Sequence, residues 1–152
     1  MDMSSTRLIP ASQEAVWDAL NDADTLQSCI AGCERIELVA PDTYDVAMAV
    51  KVGPVSARFK GRMTLSDIIE PQSYVIRFEG QGGVAGFAKG QAAVSLVPEG
   101  AGTLLSYTVH AQIGGKLAQL GARLVDSSAR KMADEFFGKF LARFEGHAAT
   151  AT

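Results

Sequence analysis

The chain has 152 residues, a formal net charge of -3 and a pI near 5.3. This length suits one domain able to bury a core, and the mild acidity, with no Lys/Arg cluster among aromatics, excludes a nucleic-acid surface. The two cysteines, Cys29 and Cys33, are too few for a disulfide framework and have no neighbouring Cys or His to complete a zinc site. They read as small apolar side chains, and no metal centre is expected.

The opening MDMSSTRLIP lacks the charged start, apolar core and cleavage site of a secretory signal. No apolar run reaches the roughly 20 residues needed to span a bilayer, so a cytoplasmic protein without a transmembrane segment is expected. Ser12 is a good N-cap, with Glu14 in the first turn and Val16, Trp17 and Leu20 on one face, which predicts a short helix over 12–21. A second brief turn falls over 24–29.

From Glu34 onward the apolar period changes to two. Breakers recur at Pro41-Asp42, Gly53-Pro54, Glu70-Pro71, Gly82-Gly83 and 98–102, which predicts an antiparallel meander. Tyr44, Val46, Met48 and Val50 point inward and Asp45 and Lys51 outward. In the next strand Phe59, Gly61, Met63 and Leu65 face in, while Arg58, Lys60 and Arg62 face out. Tyr74, Ile76 and Phe78 are inward in the third, and Leu105, Tyr107 and Val109 in the last.

The final stretch reads as a single amphipathic helix over 115–145. Leu120, Leu124, Met132, Phe136, Phe140 and Phe144 make its apolar row. Such a helix is roughly 45 Å long, enough to cross about seven strands spaced about 4.8 Å apart. Ser127, Ser128 and Ala129 at its middle are small, and the tail HAATAT is polar enough to be disordered. The expected fold is α+β: a curved antiparallel sheet of about seven strands gripping one long C-terminal helix, with short helices near the N-terminus. One domain would cover 1–146 and a disordered tail 147–152.

Chemistry is sparse. The strand after the glycine-rich turn presents Gly86, Ala88, Gly90 and Ala92 inward. Such small groups either let a bent strand approach closely or leave room for a ligand. The run GQGGVA matches a dinucleotide fingerprint formally, but it joins two strands rather than a strand and a helix. Tyr44, Tyr74 and Tyr107 are inward polar handles that core packing alone could also explain. His110 faces solvent and His147 lies in the tail. Asp67 is the one carboxylate whose parity points inward, so no acid-base constellation emerges and no catalytic residue is assigned.

On the outside, the register predicted from a Gly53-Pro54 turn sets Arg58, Lys60 and Arg62 opposite Ala49, Ala47 and Asp45. Two of the three cations would then lack a partner. A solvated face, or docking to an acidic protein or anionic lipid surface, would follow.

Several stretches in order carry a family likeness: 30–34 (IAGCE), the turn Gly53-Pro54-Val55, the run GQGGVAGFAKGQAAVSL, and GTLLSYTVHAQIGGKLAQLGARL. They resemble CoxG, the carbon monoxide dehydrogenase G-subunit family, within the START-like (SRPBCC) helix-grip proteins, through about Phe144. Members often have Pro at the position of Ala31, and longer ones carry a C-terminal extension used for membrane attachment.

The resemblance implies a non-catalytic accessory protein of a molybdenum-containing carbon monoxide dehydrogenase or related hydroxylase, recruiting it to the inner face of the membrane. It also implies a lipophilic pocket for a lipid or quinone, with no other cofactor. On the sheet, Phe59, Met63, Phe78 and Tyr107 are the expected lining, with Gly86, Ala88 and Gly90 supplying room. On the helix, Leu124, Met132 and Phe136 complete it. A cyclase or hydrolase using Tyr107 or Asp67, and a partner-binding module with a filled core, are the alternatives.

Overall fold

The computed structural model describes the backbone of residues 1–151 and the side chains of 1–144. The elements run β1 (Asp2–Ile9), α1 (Gln13–Leu20), α2 (Ala23–Cys29), β2 (Cys33–Ala40), β3 (Thr43–Val52), β4 (Val55–Ile69) and β5 (Ser73–Gln81). A one-turn 3-10 helix (Gly83–Ala85) leads into β6 (Phe87–Glu99) and β7 (Gly102–Gly114), then α3 (Lys116–Gln119) and α4 (Ala122–Ala151). Seven antiparallel strands form one sheet in the order β1-β7-β6-β5-β4-β3-β2. The tail expected to be disordered, 147–152, lies outside the fully described residues.

The N-terminal helices start where the capping residues predict. The Ser12 hydroxyl accepts from the Ala15 amide at 3.2 Å, and the Asp22 carboxylate from the Thr25 amide at 3.2 Å. Each side chain thereby satisfies an amide that has no partner within its own helix. Together α1 and α2 carry the chain from β1 at one edge of the sheet to β2 at the other. Two bonds fix α1 on the sheet: Gln13 Nε2 donates to the Leu96 carbonyl at 2.9 Å, and Thr103 Oγ1 to the Ala11 carbonyl at 2.8 Å.

The first strand is absent from the expected elements. β1 pairs along its length with β7 (Met3 opposite Val109, Ser5 opposite Tyr107, Arg7 opposite Leu105). Its inward row therefore reads Met3, Ser5, Arg7, Ile9, too polar for period-two hydrophobicity to reveal.

The terminal helix is not single. Gly121 adopts φ +93°, in the left-handed region that glycine tolerates and other residues resist. This breaks the expected helix over 115–145 into the single turn of α3 and the long α4. Leu120 and Leu124 keep helical spacing across the break, so periodicity could not show it.

The core is divided between the two ends of the sheet. At the end holding the β2–β3, β4–β5 and β6–β7 turns, Ile9, Trp17, Tyr74, Leu96, Leu105, Phe137 and Phe140 anchor a large buried cluster. At the opposite end Val52, Phe59, Ala85 and Leu117 form a smaller one, flanked by Val50, Ile113 and Leu124. Gly61 and Gly90 show how strongly the sheet bends between them. A Cβ on Gly61 would run into the Glu79 carbonyl, and one on Gly90 into the His110 carbonyl, so glycine is required for the strands to approach.

Candidate ligand-binding site

Between the two clusters runs a strip of the sheet's inner face that belongs to neither. Met48, Phe78, Ala88, Ala92 and Ala111 are half-buried there and, among the described residues, packed into neither core. Phe78 sits opposite Gly90, which sits opposite Ala111, while Ala88 lies between Gly80 and Ile113. On α4, the half-buried Val125 and Ala129 and the 37% exposed Met132 likewise join neither cluster. The strip is apolar and half-buried, so solvent partly reaches it and it is not a sealed core.

The expected lining residues do not share one place. Phe78, Ala88 and Gly90 lie on the strip, and Met132 on the helix stretch just described. Phe59 and Leu124 belong to the smaller cluster. Met63, Tyr107 and Phe136 belong to the larger one, where Tyr107 stacks on Phe137 at 5.5 Å between centroids and Phe136 on Phe140 at 5.4 Å. Gly86 supplies no room. Its φ is +117° and a Cβ there would strike the Gly114 carbonyl, so it serves the contact between the 3-10 turn and the end of β7.

A polar rim borders this region at β1. Arg7 Nη2 lies 2.6 Å from Asp134 Oδ1 on α4, and its guanidinium carbon 4.9 Å above the Phe137 ring. The hydrogen bond to Asp134 pushes the Arg7 pKa above its ordinary value, against the cost of burial. A cleft of about 580 Å³ opens here, with Met3, Ser5, Arg7, Tyr107, Arg130 and Asp134 in its wall. Sequence reasoning missed Arg7 because β1 was missed. Strand parity over 2–9 would have placed it inward.

Burial pushes the pKa values of Tyr74 and Tyr44 up, so both remain neutral hydrogen-bonding groups. Asp67 has φ +50° and is exposed at an irregularity between β4 and β5, which takes it out of the interior that its parity predicted. His110 pairs with Asp2 at 2.6 Å on the outer face, and this bond holds the Asp2 carboxyl below its usual value.

Tyr74 carries a pH prediction. It is 4% exposed and meets Trp17 edge-on at 5.1 Å. Its raised folded-state pKa means the native state holds a proton that the unfolded chain releases near the ordinary value of 10.0. Stability is therefore fully present below about pH 10 and falls as pH rises toward the folded-state value. Tyr74→Phe should flatten that alkaline decline in urea melts, and an equally steep decline in the variant would refute the assignment.

On the outer face, Arg58, Lys60 and Arg62 do pair with Ala49, Ala47 and Asp45. The charge balance differs from the expectation. Arg58 Nε reaches Glu34 on β2 at 3.3 Å and Arg62 Nε reaches Asp45 at 3.2 Å, so among the described residues only Lys60 of the three has no ion-pair partner. The direct cross-strand pairs miss Glu34 because it lies two strands away. These exposed pairs are weak. A second cleft of about 580 Å³ includes Arg35, Asp45, Lys60, Arg62 and Glu79 in its wall.

The sequence pattern of the carbon monoxide dehydrogenase G-subunit (CoxG) family matches residues 6–143. The chain belongs to the CoxG family. No curated protein matches it. This CoxG-family chain is similar to a conserved protein from Geobacillus kaustophilus, with 28% identity and a TM-score of 0.90 over 96% of each chain. A START superfamily protein from Mycobacterium smegmatis has a TM-score of 0.74 at 17% identity, over 95% of this chain and 97% of that one. The Zhui aromatase/cyclase from a Streptomyces species shares the fold at 14% identity and a TM-score of 0.65, over 95% and 93%. The fold is thus START-like, with the sheet and terminal helix expected of a helix grip. Among the described residues no helix is long and apolar enough to cross a membrane.

Proposed function

We propose that this CoxG-family chain is a non-catalytic binding protein that holds a lipid or quinone-like molecule against the strip between sheet and α4. In this reading it assists a carbon monoxide dehydrogenase-type molybdenum hydroxylase, in membrane recruitment or in electron transfer. The observation that carries the reading is the apolar strip left between two separately packed cores. Apolar side chains normally join the main core or a smaller satellite cluster; here Phe78, Ala88, Ala92 and Ala111 stay half-buried outside both. Covering roughly 400 Å² of ligand is worth about 10 kcal/mol gross at about 25 cal/mol per Å². After the costs of association this leaves micromolar or weaker affinity.

Recruitment in this reading uses the outer face, where Arg58, Lys60 and Arg62 are exposed. With two of them already ion-paired, attraction to anionic lipid should be modest and salt-sensitive. Titration with the neutral dye N-phenyl-1-naphthylamine tests the groove. Saturable fluorescence enhancement with a micromolar dissociation constant is expected, and a linear, unsaturable response would overturn the proposal.

A further inference from the structure

The turns joining β2 to β3, β4 to β5 and β6 to β7 lie at one end of the sheet, beside the C-terminus of β1. This end exposes large apolar side chains. Leu8 (60% exposed) and Val97 (55%) flank Leu104 across the register, and Ile68 and Ile69 (57%) stand on the next turn along. Leu38 and Val39 add to the same end at the β2–β3 turn.

The charges among them have one sign. Asp42, Asp67, Glu70 and Glu99 are exposed at the three turns and, among the described residues, form no ion pair. Segments 37–44, 66–73 and 97–103 contain no Lys, Arg or His. Neither does 8–34, which supplies α1, fixed to this end through Leu96, with exposed Glu14 and Asp18. Cations such as Lys51 and Arg58 sit toward the opposite end, near the β3–β4 turn, and the exposed Lys139 and Arg143 ride on α4 over the inner face, whereas Leu8, Leu104 and Val97 have outward parity.

Exposed apolar groups ringed by unpaired like charges select their partner by charge complementarity. Anionic lipid and nucleic acid are repelled here. A second copy would have to present its own cationic end, a head-to-tail contact instead of the two-fold, self-complementary one that builds most homodimers. We propose that this end docks a partner protein whose surface presents Lys and Arg around an apolar patch. The inference is independent of what the groove holds.

Photocrosslinking tests it. p-Benzoylphenylalanine replaces Ile69 in one variant and Ser56, near the opposite end, in a control, each expressed in cells that make the protein natively. The expected result is a discrete Ile69 adduct at least about fivefold above the control. Mass spectrometry should map it to a segment of another protein with Lys or Arg beside apolar residues. Adding Glu70→Lys and Glu99→Lys should cut that adduct at least about fivefold with the thermal melt unchanged. Adducts to a second copy of this chain, to phospholipid or to a segment without Lys or Arg would overturn the proposal. So would yields that ignore the charge reversal or match the control.

Discussion

Phe140→Ala is expected to remove about 3–5 kcal/mol of unfolding free energy. Phe140 is fully buried, stacks on Phe136 at 5.4 Å and meets Phe144 edge-on at 5.1 Å. It joins α4 to the cluster containing Ile9, Trp17 and Leu105, where helix, α1 and sheet converge. Truncation there leaves a cavity with rigid walls on several sides, and domains of this size have only about 5–15 kcal/mol to lose. Phe136→Ala should cost less, because Phe136 is half-buried and its outer side already meets solvent. Urea unfolding of both variants decides this. Equal losses would mean that α4 is not seated as described.

The largest functional effect is expected from filling the strip. Ala88→Trp adds a ring to a half-buried inward position between Gly80, which has no side chain, and Ile113, which packs toward the smaller cluster. In a filled core such a substitution would strain the packing by about 1–3 kcal/mol. On an open apolar groove it should leave the thermal midpoint within about 2 °C while weakening N-phenyl-1-naphthylamine binding at least about tenfold. Strong destabilisation would instead show that the site is core. Unchanged dye affinity in a stable variant would show that the ligand sits elsewhere.

From β2 to β7, strand order and facing were legible because alternation and turn residues act locally. The Gly53-Pro54 turn alone fixed Arg62 opposite Asp45 and Lys60 opposite Ala47, and the Ser12 cap fixed the start of α1. Position along the inner face was not legible. Parity says that Phe59, Phe78 and Tyr107 all point inward, but the bend at Gly61 and Gly90 assigns them to one cluster, the strip and the other cluster respectively.

Glycines read as spare volume proved mixed in role. Gly90 lies on the strip yet is needed for the strands to approach, and Gly86 is wholly taken up by backbone contact. β1 stayed hidden because its inward row includes Ser5 and Arg7, and with it the Arg7–Asp134 rim, a contact across 127 positions that no local pattern encodes. The break at Gly121 was masked by leucines that keep their spacing on both sides.

The central claim is that the groove between sheet and α4 holds an apolar molecule in the cell. Organic extraction of the freshly purified protein, with mass spectrometry beside Ala88→Trp prepared identically, tests it most directly. A quinone or lipid should be recovered from the wild-type chain in an amount reduced at least about tenfold in the variant. Recovery of no apolar molecule from the wild type, or of equal amounts from both, would contradict it.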